Sequence, residues 1–126
     1  MKYRIPILIF IIMTLLHTTA CPVSASDTLT KRGGVHDNHY GYTETYYNLP
    51  MDRVVQIMRD KGYSETDYPY WVRNDGVKML GGLVMVAADL DIHPKGDVVN
   101  TSLGMGIVVD TGSAIIGNRI DIATAW

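Results

Sequence analysis

The chain has a single cysteine, Cys21, in 126 residues. One cysteine excludes an intrachain disulfide framework and any cysteine-based zinc site. Charge is also sparse. Eleven Lys+Arg stand against 13 Asp+Glu, a formal net charge of −2, with no run of basic residues. That balance offers nothing to a phosphate backbone, so nucleic acid is not an expected partner. Long apolar runs are missing too. Ile5 to Leu16 is apolar apart from Thr14, well short of the roughly 20 residues that cross a bilayer. Internal repeats and low-complexity tracts are absent. The 47% hydrophobic content is enough for a core, and 14.0 kDa is room for one domain.

The short apolar run has a different use. Lys2 and Arg4 precede it as a positive n-region, and Val23-Ser24-Ala25 follows as a small-residue cleavage site. Residues 1–25 therefore read as an export signal. The mature chain is then Ser26 to Trp126, 101 residues, secreted, with no stable membrane span left. It keeps all 13 acidic residues and sheds two bases, which moves its charge from −2 to −4. Two alternatives use the same segment: an uncleaved N-terminal anchor, and a lipoprotein through Cys21. Thr18 opposes the second, because a lipobox wants an apolar residue there.

Residues 26–41 are polar and contain Gly33-Gly34, which predicts a flexible lead-in. His36 and His39 in this stretch have no third ligand nearby and read as solvated residues. Tyr42 to Tyr47 alternates and predicts a strand. Asn48 is a candidate helix cap, with Pro50 in the first turn. Met51, Val54, Val55 and Met58 then form an apolar stripe that Gly62 terminates. The helical insert is expected over about 49–71, with one further turn at Ser64 to Asp67. Tyr63, Tyr68, Tyr70 and Trp71 can line a sugar site or simply pack. From Val77 the chain reads as all-β, with strands at 77–80, 83–88, 98–101, 105–109 and 119–123. Nearly continuous apolar strands with glycine-rich joints suit a small closed barrel.

Three aspartates end or interrupt those strands. Asp89 follows Val84 to Ala88, Asp110 follows Ile107-Val108-Val109, and Asp121 lies between Ile120 and Ile122. A carboxylate among apolar β-residues is costly unless it is paired or used. Three on converging strands would repel, raising at least one pKa toward the range of a general acid. Asp110-Thr111-Gly112-Ser113 also matches the aspartic protease signature. Only 16 residues follow Asp110, too few for the rest of a protease lobe. An all-carboxylate Mg²⁺ or Ca²⁺ site lacks a spaced ligand loop, so no metal and no other cofactor is expected.

Ala88-Asp89, then Ile92-His93-Pro94-Lys95-Gly96, and the block from Val109-Asp110-Thr111-Gly112-Ser113-Ala114 through Gly117-Asn118-Arg119-Ile120-Asp121-Ile122 resemble the 3D (Asp-Asp-Asp) domain family. That family includes the C-terminal domain of membrane-bound lytic transglycosylase A and small secreted muralytic proteins. Thr43 to Tyr47 resembles its opening Thr-x-Tyr strand more weakly. Ser113 stands where the family usually has Gly, and Ile116 where it usually has Lys.

The resemblance implies a mainly β fold with one or two short helices, a six-stranded double-psi β-barrel over 42–126. It implies peptidoglycan glycan strands as partner and a lytic transglycosylase. Such an enzyme cleaves the MurNAc–GlcNAc bond to leave a 1,6-anhydro sugar. Asp121 matches the catalytic acid/base, with Asp110 and Asp89 tuning it and binding sugar hydroxyls. Thr111, Gly112 and Asn118 would shape the turn and donate hydrogen bonds. Arg119 would meet developing charge or an acidic substituent, or pair with Asp91. Tyr46 and Tyr47 are candidates for the groove wall. The missing Lys at Ile116 motivates an alternative, a non-catalytic wall-binding module on the same barrel.

Overall fold

A computed structural model describes residues 27–126, so the expected export signal lies outside the described residues. Among the described residues no helix is long and apolar enough to cross a membrane. The elements run β1 (His36–Asp37), β2 (Thr43–Tyr47), α1 (Asp52–Asp60), β3 (Tyr70–Val72), β4 (Lys78–Leu80), β5 (Leu83–Ala87), β6 (Val98–Thr101), β7 (Gly104–Asp110) and β8 (Arg119–Ala123). The fold is mainly strand with one short helix, as expected.

Eight strands form one mixed sheet with path β1-β2-β8-β5-β4-β3, and β7 pairs with both β5 and β6. The β2–β8 and β5–β7 pairs are parallel. One edge of β5 carries β7. Its other edge is shared by β4, through Leu80↔Leu83, and β8, through Val86↔Ile122. The sheet forks there.

A closed six-stranded barrel is not what the pairing forms, since no ladder joins β6 back to β1 or β2. Side chains fill that seam. Glu44 of β2 is fully buried and accepts from Asn38 Nδ2 (2.5 Å), Ser102 N (2.7 Å) and Ser102 Oγ (2.5 Å). Three donors satisfy this buried carboxylate, which ties β2 to Asn38 and to Ser102 beyond β6.

Strand alternation divides the core in two. Val84 and Val86 of β5, with Ile120 and Ile122 of β8, pack on one face with Val99 and Val108. Met85 points the other way, to Met51 just before α1, Met58 within it, Leu80, Ile107 and Ala123. The expected stripe on α1 is therefore a core face. Asn48 does not cap the helix. The N-cap residue is Met51, without a side-chain bond. Asn48 instead accepts from Lys78 Nζ (2.9 Å) and donates to the Trp126 carbonyl (3.3 Å). The lead-in is also not free chain. Leu29 is buried in the first core, its amide bonds Ser102 Oγ (2.9 Å), and β1 pairs with β2. An isolated Leu in a polar stretch carries no periodicity, so this docking has no local signature.

Candidate functional site

The site forms where β2, β5, β7 and β8 come together. Ala87 of β5 is the register partner of Asp110 on β7 and of Asp121 on β8. The two aspartates therefore flank one small buried residue. Register partners point to the same side of a sheet. Two strand spacings put their backbones on the order of 10 Å apart.

A β-bulge makes this possible. Val86 pairs with Val108, but Ala87 pairs with Asp110 rather than Val109. Simple alternation along Ile107-Val108-Val109-Asp110 would send Asp110 to the face of Val108. The extra residue re-aims it to the face of Asp121, a common use of bulges beside functional sites.

A cleft of ≈ 280 Å³ opens above this floor, with Tyr47, Asp110, Arg119 and Asp121 as its polar walls and Leu49, Ala87 and Ile115 as apolar ones. Thr111 and Gly112 also line it, and Ile115 N bonds the Gly112 carbonyl (3.0 Å) to form the turn.

Asp121 is only 7% exposed. Its Oδ1 accepts from Arg119 Nε (3.0 Å) and from Thr45 Oγ1, and its Oδ2 from Arg119 Nη2 (3.3 Å). Arg119 thus pairs with Asp121, two residues on along β8, and not with Asp91. Asp110 accepts from Tyr47 Oη (3.1 Å) and from the Thr111 amide (2.9 Å). Burial pushes the Tyr47 hydroxyl well above its usual range, and the nearby charges of Asp110 and Asp121 push it further. Tyr47 is therefore a protonated donor at any ordinary pH.

Three expected site residues lie elsewhere. Asp89 does not line the cleft. Its oxygens accept from the amides of Gly117 (2.9 Å) and Asp91 (3.1 Å). Those bonds, with the His93 charge, hold its carboxyl below the usual range, opposite to the rise expected of a general acid. Asn118 bonds the Gly41 carbonyl (3.0 Å) and, with the Asp89–Gly117 bond, fastens the 111–118 loop between β7 and β8. Tyr46 faces away from Tyr47 and packs edge-on against Trp126, ring centroids 4.9 Å apart. Ile116, where a Lys was expected, is 68% exposed and also outside the cleft walls.

Thr45, which donates to Asp121, is the residue beside the cleft that the sequence pattern did not single out. It is the register partner of Asp121 across the parallel β2–β8 pair. Its two-residue offset from Tyr47 on an alternating strand was the available signal. Among the described residues, no group of three or more His, Cys, Asp or Glu is arranged to hold a metal ion.

Residues 76–124 match the family model described as the 3D domain. The match covers β4 to β8, with both cleft aspartates and Arg119, and leaves out β1, β2, α1 and β3. No curated protein matches the chain.

Proposed function

From the 3D domain that residues 76–124 constitute, a domain consistent with a peptidoglycan-related function, we propose that this protein is a secreted lytic transglycosylase. It would cleave the MurNAc–GlcNAc β-1,4 bond of peptidoglycan glycan strands. One observation carries the reading: Asp121, nearly buried, reaches the cleft beside Asp110 and is steadied by Arg119 and Thr45.

In this mechanism the Asp121 carboxyl protonates the glycosidic oxygen. The bond from that oxygen to muramic C1 breaks, and the GlcNAc unit leaves with the proton. Arg119, 3.0 Å away, stabilises the carboxylate so formed. Asp110 sets negative charge across the floor from it, facing the positive charge that builds at C1. The Asp121 carboxylate then takes the proton of the muramic C6 hydroxyl as its oxygen bonds C1. The internal hydroxyl replaces water, so one carboxyl serves both steps, unlike the two that an ordinary glycosidase requires. Leu49 and Ile115 supply apolar wall for sugar C–H faces.

The exposed Ile116 in place of Lys favours a second reading, a wall-binding module without turnover. Digestion of purified peptidoglycan, read by mass spectrometry, separates the two. Wild type is expected to release 1,6-anhydro products, and Asp121→Asn to lower their yield about 10²- to 10⁴-fold, the usual scale of acid–base catalysis. Reducing-end products would overturn transglycosylation, and glycan binding with no product would support the second reading.

A further inference from the structure

A second groove, of ≈ 380 Å³, lies beside α1 and takes no part in the chemistry above. Asp52, Gln56 and Arg59 line it from the helix, and Glu65 and Tyr70 from the chain that follows. All five fall outside the matched residues 76–124, so this groove is built by the segment inserted between β2 and β4.

Spacing explains the helical wall. Residues 52, 56 and 59 share one helical face, while Met51 and Met58 anchor another in the core. The groove carries both signs of charge. Arg59 Nη1 donates to the carbonyls of Tyr63 (2.9 Å) and Tyr68 (2.8 Å), which fixes the guanidinium against the loop. Among the described residues its Nε and Nη2 have no acceptor, and the carboxylates of Asp52 and Glu65 have no donor. Tyr70 lines the same groove as Asp52, and its hydroxyl is held above its usual range by partial burial and then by the Asp52 charge. A held guanidinium and two exposed carboxylates lining one groove complement a ligand that bears a carboxylate and an amine on one short backbone.

Position narrows the ligand further. Leu49 lines the cleft and Asp52 the groove. Three residues of chain span at most about 11 Å, and an extended tetrapeptide about 13 Å. An extended tetrapeptide is therefore long enough to span the Leu49–Asp52 separation.

We propose that this groove is a subsite for the peptide stem of peptidoglycan, with Asp52 and Glu65 taking the amine of its diamino residue and Arg59 a stem carboxylate. The proposal rests on the peptidoglycan reading for its ligand, but not on turnover.

The test is a titration of the isotope-labelled protein with a synthetic stem tetrapeptide bearing one free side-chain amine, followed by amide shifts. The expected result is saturable shifts confined to residues 52–70. Asp52→Asn with Glu65→Gln should weaken binding at least about tenfold, the scale of one lost charge-assisted bond. Acetylating the peptide amine should do the same to the wild type. Both substituted residues are exposed, so an unchanged spectrum away from the groove verifies the fold. No shifts in residues 52–70, or equal binding by the acetylated peptide, would overturn the proposal. A digest of peptide-bearing and peptide-stripped strands separates the two failures. Anhydro products without peptide shifts sink the subsite alone, and peptide shifts without anhydro products sink the catalytic reading alone.

Discussion

Asp89, Asp110 and Asp121 carry the same carboxyl group and are used in three ways. Asp121 is paired with a guanidinium and a hydroxyl, Asp110 accepts from a phenol and an amide, and Asp89 accepts from two backbone amides. The last is a fastening for the 111–118 loop rather than a cleft group. Its pKa is lowered first by the Gly117 bond and then by the Asp91 bond. A carboxyl depressed by folding adds stability that is whole above the unfolded value and is lost as pH falls through the folded one. The Gly117 amide shift should therefore titrate with a midpoint below the ordinary Asp value of about 3.9. A midpoint at or above that value, or no change in the titration with Asp89→Asn, would show that the bond does not hold the loop. The motif brought all three aspartates to notice, because they recur beside apolar runs. Which of them faces the cleft was not legible, since a residue's role depends on partners 28 positions away, as Gly117 is from Asp89.

At the scale of elements, the contact between β5 and β7 decides whether Asp110 reaches the site. Their parallel pairing runs from Val84↔Gly106 to the bulge before Ala87. Gly106 permits the approach. A Cβ there would sit 2.8 Å from Val86 Cγ2 and 3.1 Å from Thr101 Cγ2. Replacing a strand glycine by alanine ordinarily helps by about 0.5–1 kcal/mol through chain entropy. Overpacking in a tight core costs about 1–3 kcal/mol, so the steric term should win. Gly106→Ala should lower the urea midpoint, and an unchanged or higher midpoint would show that the two strands have room to part. Most elements were legible from the chain. The stripe on α1 and the strands at 98–101 and 119–123 follow from local periodicity. Strands β1 and β3 were not legible. The first is two residues long, and the second, Tyr70-Trp71-Val72, is exposed at all three positions and shows no alternation. Its aromatic neighbours also divide: Tyr63 and Tyr68 pack together with ring centroids 5.0 Å apart, while Trp71 stays at the surface.

For the whole molecule, the open sheet is joined at its seam by side chains rather than by a ladder, with Glu44 at their centre. Glu44 joins β2 to Asn38 and to the β6–β7 turn at Ser102, and Ser102 in turn holds the Leu29 amide. Glu44→Leu removes the acceptor oxygens that Asn38 Nδ2, Ser102 N and Ser102 Oγ share. Leaving one buried partner unsatisfied costs about 1–3 kcal/mol, to be read as a lower midpoint in urea. A variant as stable as wild type would show that the seam is held by packing alone. The same distinction between local and distant causes separates what the sequence by itself determined from what the fold decided. Period-two and period-3.6 patterns act between neighbours, so the chain alone determined a mainly β domain, an amphipathic α1 and the aspartate motif with Asp121 inside a buried strand. The bulge that turns Asp110 toward Asp121, the pairing of Thr45 with Asp121, the turning of Tyr46 away from the cleft and the Glu44 seam in place of barrel closure were decided only by tertiary structure. Each depends on which distant strands pair and in what register, and a one-residue shift in register reverses the face of every side chain on a strand.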